Sequence, residues 1–224
     1  MRKMNSRVMI IALAACAIAL SPVTAAALSP AGTQTAESQA ALTPDAALAL
    51  LREGNQRFVS GKMMERDLQA QVAATAGGQF PHSIVLACID SRVPPEVVFD
   101  QGIGDIFAPR VAGNFVDAEL LGSMEFAAAV AGSKVIVVLG HTECGAVKGA
   151  CDNVELGNLT QTLSNIAPAV YAVTDIPGER SSKNKAFVDA VAHENVRQTV
   201  DNIMERSLVL RELVERGKVI GRGG

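Results

Sequence analysis

Cys88, Asp90 and Arg92 stand at alternate positions in Cys88-Ile89-Asp90-Ser91-Arg92, and His141 and Cys144 stand three apart in His141-Thr142-Glu143-Cys144. In an extended chain, side chains two residues apart share a face, so a thiolate, a carboxylate and a guanidinium would meet in one pocket. His141 and Cys144, placed across a turn into a helix, can face one ion, and a helix amino end beside Cys144 would favour its thiolate. Two thiolates and an imidazole suit zinc, in a Cys2His arrangement that leaves a fourth position for water or substrate. Either motif alone arises by chance, and a cysteine is often only a small buried hydrophobe. Found together, each after an apolar run, they point to a catalytic metal site. Asp90 and Arg92 as a bare surface ion pair would contribute little; beside a metal the pair gains a role.

The remaining candidates carry weaker signals. Cys151, seven residues after Cys144, belongs to no motif and reads as a buried, inert thiol. His82 precedes an apolar run and reads as a surface histidine or a proton relay, and His193 as a packing or surface residue of a helix.

These side chains must be held by regular elements. Ser83 to Ile89 and Lys134 to Leu139 are short, β-favouring apolar runs bounded by breakers, as expected of buried parallel strands, with Asp105 to Val111 a weaker third. Asp117 can cap a helix with Leu120, Met124, Ala127 and Ala131 on one face. Thr43-Pro44-Asp45 opens an earlier helix carrying Ala47, Leu48 and Leu51 and ending near Gly54 or Gly61. A long helix with Val188, Val196, Val200 and Ile203 follows the polar stretch 178–185. Gly217 then stops a second helical segment before a last strand at Val219-Ile220. Strands alternating with helices predict an α/β domain with a mainly parallel sheet, whose ligands bind beyond the carboxyl ends of the strands.

The 224 residues, 49% of them hydrophobic, suffice for one domain and a leader. Arg2, Lys3 and Arg7 precede the uncharged run Val8 to Leu20, which is short for a membrane span. Small residues follow, so 1–27 reads as a signal peptide cleaved after Ala25 or Ala27, with export to a bacterial periplasm and no membrane attachment thereafter. Leu13-Ala14-Ala15-Cys16 offers the alternative of a lipoprotein anchored at Cys16. Residues 28–41, rich in Ala, Ser, Thr, Gln and Pro, read as a flexible linker, and 42–224 as the domain. A net charge of -3 supplies no basic surface for nucleic acid. The three cysteines left after cleavage do not make a disulfide framework.

ACIDSRVPPEVVFDQGIGDIFAPRVAGN (Ala87 to Asn114) and VIVVLGHTECGAVKGA (Val135 to Ala150) resemble the beta-class carbonic anhydrases, and the resemblance extends from about Leu42 through Gly221, including ENVRQTV near Glu194. It implies one zinc per chain on Cys88, His141 and Cys144, and reversible hydration of CO2 to bicarbonate and a proton by attack of zinc-bound hydroxide. By the same resemblance Asp90 either takes the fourth zinc position or pairs with Arg92 and leaves it open, and Gln101 is the candidate for orienting substrate. A parallel sheet flanked by helices, an N-terminal helical arm and a homodimer or higher oligomer are also implied. The chain has no Trp, so the tryptophan-containing inhibitory bicarbonate site of some bacterial members has no counterpart. Such proteins usually continue into a further strand beyond the position of Gly224. Two other readings fit the same motifs: hydrolysis of a sulfur analogue, carbonyl sulfide or carbon disulfide, and a non-catalytic zinc protein that is structural or redox-sensing.

Overall fold

The computed structural model describes residues 28–29 and 31–224; the expected signal peptide and Cys16 lie outside them. Four strands, Ser83–Ala87 (β1), Ile106–Phe107 (β2), Val135–Leu139 (β3) and Ile220–Gly223 (β4), form one sheet in the order β2-β1-β3-β4, paired in parallel throughout. β1 is buried along its whole length, and four of the five β3 residues are buried, because helices cover both faces. Such strands read as unbroken apolar runs instead of alternating ones. The period of two still sorts their side chains. Ile84, Leu86, Ile136 and Val138 pack under Met124 and Ala127 with Val196 and Ile203, while Val85, Val135 and Val137 pack against Ala47, Leu48 and Leu51.

Helix Pro44–Val59 starts at the Thr43 cap with proline in its first turn, as expected, but it does not end at Gly54. A Cβ on Gly54 would lie 1.8 Å from the Phe99 carbonyl oxygen, so this glycine permits a close approach, and Gly61, at φ +68°, follows the true end. Asp117 caps helix Ala118–Glu125 by accepting from the Leu120 N–H at 2.8 Å. That helix widens into a π-turn, Phe126–Val130, before Gly132. Helices Lys185–Arg206 and Leu208–Glu215 follow, with Gly217 at φ +65° after them. The last strand is longer than the Val219-Ile220 pair, running Ile220–Gly223 beside Val135 to Val138.

The segment 28–41 differs from the expected linker. Ala36–Ala41 is a helix with a reciprocal capping box between Thr35 and Ser38. Gln39 ties it down by donating from Nε2 to the carbonyls of Pro81 and Ala131, both at 2.8 Å. A segment docked by an amide instead of an apolar stripe leaves no hydrophobic period in the sequence.

One buried carboxylate fastens helix Pro44–Val59 and the segment after it to the loop that leads into β2. Asp100, fully buried, accepts from Arg57 Nε, Arg66 Nη1 and the Met64 N–H. Burial works to raise its pKa, but the two arginines outweigh it and hold the carboxyl below its usual value. A carboxyl lowered on folding stabilises above its unfolded pKa of about 3.9, and that contribution fades as pH falls through the folded value. Asp100→Asn should therefore lower stability at pH 7 by about 3 kcal/mol, the low end for a broken buried pair because both arginines retain some water. Urea unfolding should show the gap between parent and variant narrowing toward pH 3; a gap independent of pH would contradict this account.

Candidate metal centre

Pairing of Ala87 with Leu139 brings the carboxyl ends of the two central strands, β1 and β3, level, so Cys88 and His141 emerge close together at that end of the sheet. Cys144 follows as the N-cap of helix Gly145–Cys151. The ligand atoms of Cys88, His141 and Cys144 all lie within 4.8 Å of one another, and the two sulfurs are 3.9 Å apart. Two sulfurs on one tetrahedral zinc, each bonded at about 2.3 Å, would stand about 3.8 Å apart. The pair is therefore already spaced for the ion.

The imidazole supplies a second test of fit. His141 Nδ1 lies 2.9 Å from the Thr142 carbonyl, which can only accept, so the proton sits on Nδ1. The Nε2 lone pair is left buried without a hydrogen-bond partner. A backbone carbonyl on one ring nitrogen and a free lone pair on the other is the arrangement that orients a metal-ligating histidine. Between the thiols there is room for one shared proton, and either sulfur can donate it to the other. That bond takes the Cys88 pKa down to about 4 and pushes Cys144 up. The expected lowering at Cys144 by the helix end is thus overridden by its neighbour; a bound cation would favour the thiolate at both.

Asp90 lies beside this cluster, its Oδ2 3.9 Å from His141 Nε2. Arg92 grips the carboxylate with two parallel bonds, Nε to Oδ1 at 2.9 Å and Nη2 to Oδ2 at 2.8 Å, and its backbone N–H adds a third at 3.0 Å. These bonds hold Asp90 well below the usual carboxylate range. Arg92 Nη2 also donates to the Glu143 carbonyl at 3.2 Å, and Glu143 itself sits at φ +57° between the two ligands of the second motif.

Two residues that the sequence reading missed hold the first motif in place. Arg110 donates from Nε to the Cys88 carbonyl and from Nη2 to the Asp90 carbonyl, and Gly113 N–H points at Cys88 Sγ from 3.4 Å. The clue to Arg110 was its place in the weak strand candidate Asp105 to Val111, which continues past β2 as an isolated bridge of Arg110 to Ala87. A cleft of about 250 Å³ opens beside Cys88 and Asp90, walled by Ala112, Ala146, Leu159 and Leu163.

The other candidates lie elsewhere. Gln101 does not line this cleft. Its amide donates to the Phe99 carbonyl and accepts from His82 Nε2 at 3.0 Å, at the wall of a separate cavity shared with Asp100 and Asp105. His82 is neither a surface group nor placed as a relay: it is buried at the amino end of β1, opposite the cleft, and burial lowers its pKa. Cys151 is buried outside the cluster, with its thiol pushed up to about 11 by burial. His193 is exposed on helix Lys185–Arg206.

A carbonic anhydrase family profile matches residues 83–222, both motifs included. Carbonic anhydrase 2 of Mycobacterium tuberculosis is 37% identical over 182 residues, covering 79% of this chain and 84% of that protein. Among solved structures, a β-carbonic anhydrase of Aspergillus fumigatus has a TM-score of 0.58 at 26% identity, over 80% of this chain and 83% of that one. A tetrameric β-carbonic anhydrase of Sordaria macrospora has the same score at 25% identity, over 69% and 83%. Matched through its ligand cluster and across most of its described length, the chain belongs to the β-class carbonic anhydrases.

Proposed function

We propose that this chain catalyses the reversible hydration of CO2 with Cys88, His141 and Cys144 as zinc ligands and with Asp90 and Arg92 as the catalytic pair. The carrying observation is the unpartnered Nε2 of His141 facing two sulfurs beside a carboxylate that an arginine holds. Zinc, when bound, supplies the Lewis acidity that makes water a nucleophile near neutral pH. Asp90, kept ionised by Arg92, accepts a hydrogen bond from the attacking water and aims its lone pair at the carbon of CO2. The alanine and leucine walls receive a small apolar substrate and keep bulk water from competing for the carboxylate. Arg92 restrains the Asp90 carboxylate so that the fourth position stays available to substrate. A purely structural zinc site would have no use for such an arginine. Stopped-flow CO2 hydration by zinc-loaded protein should show turnover, rising through mildly alkaline pH because two thiolates temper the acidity of the metal. Faster turnover of carbonyl sulfide than of CO2 would reassign the substrate.

The chain is further proposed to be exported to the periplasm and to work as a homodimer or higher oligomer. Support for export is the sequence of basic residues, apolar run and small residues in 1–27. Support for assembly is the tetrameric Sordaria macrospora relative together with apolar side chains left exposed, among them Phe126 and Val130. No helix among the described residues is long and apolar enough to cross a membrane. Amino-terminal sequencing of periplasmic protein, expected to begin at Ala26 or Leu28, and light scattering on the same sample test both points.

A further inference from the structure

Gly113 is held in a conformation that little in its own neighbourhood explains. It has φ +86° and the next residue, Asn114, has φ +42°, so two consecutive residues occupy the left-handed region. A side chain at Gly113 is excluded twice over, by that backbone and by Ile166, whose Cδ1 would lie 2.3 Å from a Cβ. The Gly113 N–H donates to Cys88 Sγ at 3.4 Å in a buried setting. Its carbonyl, pointing the other way, accepts from Asn195 Nδ2 at 2.8 Å, again buried, across 82 residues of sequence.

Asn195 lies on the buried face of helix Lys185–Arg206, beside Val191 and Val196 and only 3% exposed. An apolar residue would satisfy packing there, whereas a buried amide is costly unless its hydrogen bonds are made. The bond it makes fixes a glycine whose N–H contacts a ligand sulfur.

We infer that Asn195 is a positioning residue for the metal centre, locking Gly113 so that its N–H stays aimed at Cys88 Sγ. This rests on the reading of Cys88 as a zinc ligand. Such outer hydrogen bonds hold ligands in place and limit the charge on sulfur, and removing one typically weakens metal affinity about 10–100-fold.

The primary measurement needs no variant. In protein loaded with cadmium-113, the Gly113 amide proton should show scalar coupling to the metal through the N–H···S bond. A parent that takes up one cadmium per chain without this coupling overturns the inference alone, while a parent that takes up none removes the metal site and the inference with it. Zinc affinity, measured by competition with a chromophoric chelator, should fall about 10–100-fold in Asn195→Leu and in Asn195→Asp, which keeps the shape but loses the donor. Thr199→Val, a buried change one turn along the same helix, should leave affinity unchanged. Equal weakening by Thr199→Val would mean that helix packing, and not the Gly113 contact, sets the affinity.

Discussion

Cys88→Ser, His141→Ala and Cys144→Ser should each lose zinc and CO2 hydration, while Cys151→Ser keeps one zinc per chain and near-parental turnover. The three ligand atoms lie within 4.8 Å of one another and come from two strand ends and one helix cap, and the Asp90 carboxylate beside them is held by Arg92. Structural zinc sites bind with about 10–16 kcal/mol in all, so one of four ligands accounts for roughly 3 kcal/mol, or more than a hundredfold in affinity. His141→Ala removes the only nitrogen donor of the set; Cys88→Ser also removes the acceptor of the Gly113 N–H. Cys151 is buried in the same apolar cluster as Cys88 and Cys144, but its sulfur is no part of the ligand group. Its loss should read only as a small cavity. Metal analysis by plasma emission, run beside circular dichroism to show that each variant is folded, decides the matter. A Cys151→Ser protein devoid of zinc, or a His141→Ala protein retaining it, would require a different ligand set.

The parts of this site visible in the sequence are those where chemistry and periodicity coincide. Two apolar runs each end in a ligand-bearing motif, and parallel pairing of neighbouring strands forces those ends together, so the cluster follows from the pattern once the strands are recognised. The caps at Thr43 and Asp117 were equally legible, because a cap is a local hydrogen bond between residues three apart. Contacts made by backbone, or across long separations, leave no such mark. The Glu143 carbonyl under Arg92, the two carbonyls held by Arg110, and the grip of Asn195 on Gly113 depend on the folded path of the chain and not on any spacing. Gln39 was passed over for the same reason, since a docked amide has no periodic signature. Gln101 shows the opposite case: its type suits substrate binding, and what no spacing announces is that its amide is held by His82 and by the backbone.

Arg92→Ala should abolish most CO2 hydration while leaving zinc at one per chain. In the parent, Asp90 Oδ1 accepts from both the Arg92 N–H and Nε, whereas Oδ2 accepts from Nη2 alone. Truncation to alanine spares the backbone bond to Oδ1 and frees Oδ2, the oxygen that already lies 3.9 Å from His141 Nε2. The freed carboxylate then has a reason to turn toward the cation and compete with water for it. Asp90 stays ionised at neutral pH in either case, because its ordinary pKa is already about 3.9 and Arg92 only lowers it further. The loss therefore comes from where the charge sits, not from whether it exists. A drop of about 100-fold or more in kcat/KM is expected, the scale seen when one preorganised electrostatic group is removed. Hydroxide becomes a stronger competitor as pH rises, so what activity remains should recover toward alkaline pH more steeply than in the parent. Asp90→Ala loses the acceptor that aims the nucleophile and should also be slow, but it leaves nothing to block the metal, so small anions should inhibit it more strongly. The double variant separates the two roles: with Asp90 gone, removing Arg92 should cost little further, and the two substitutions should be far from additive. Parental activity in Arg92→Ala at every pH, or additive losses in the double variant, would show that the arginine does not restrain the carboxylate.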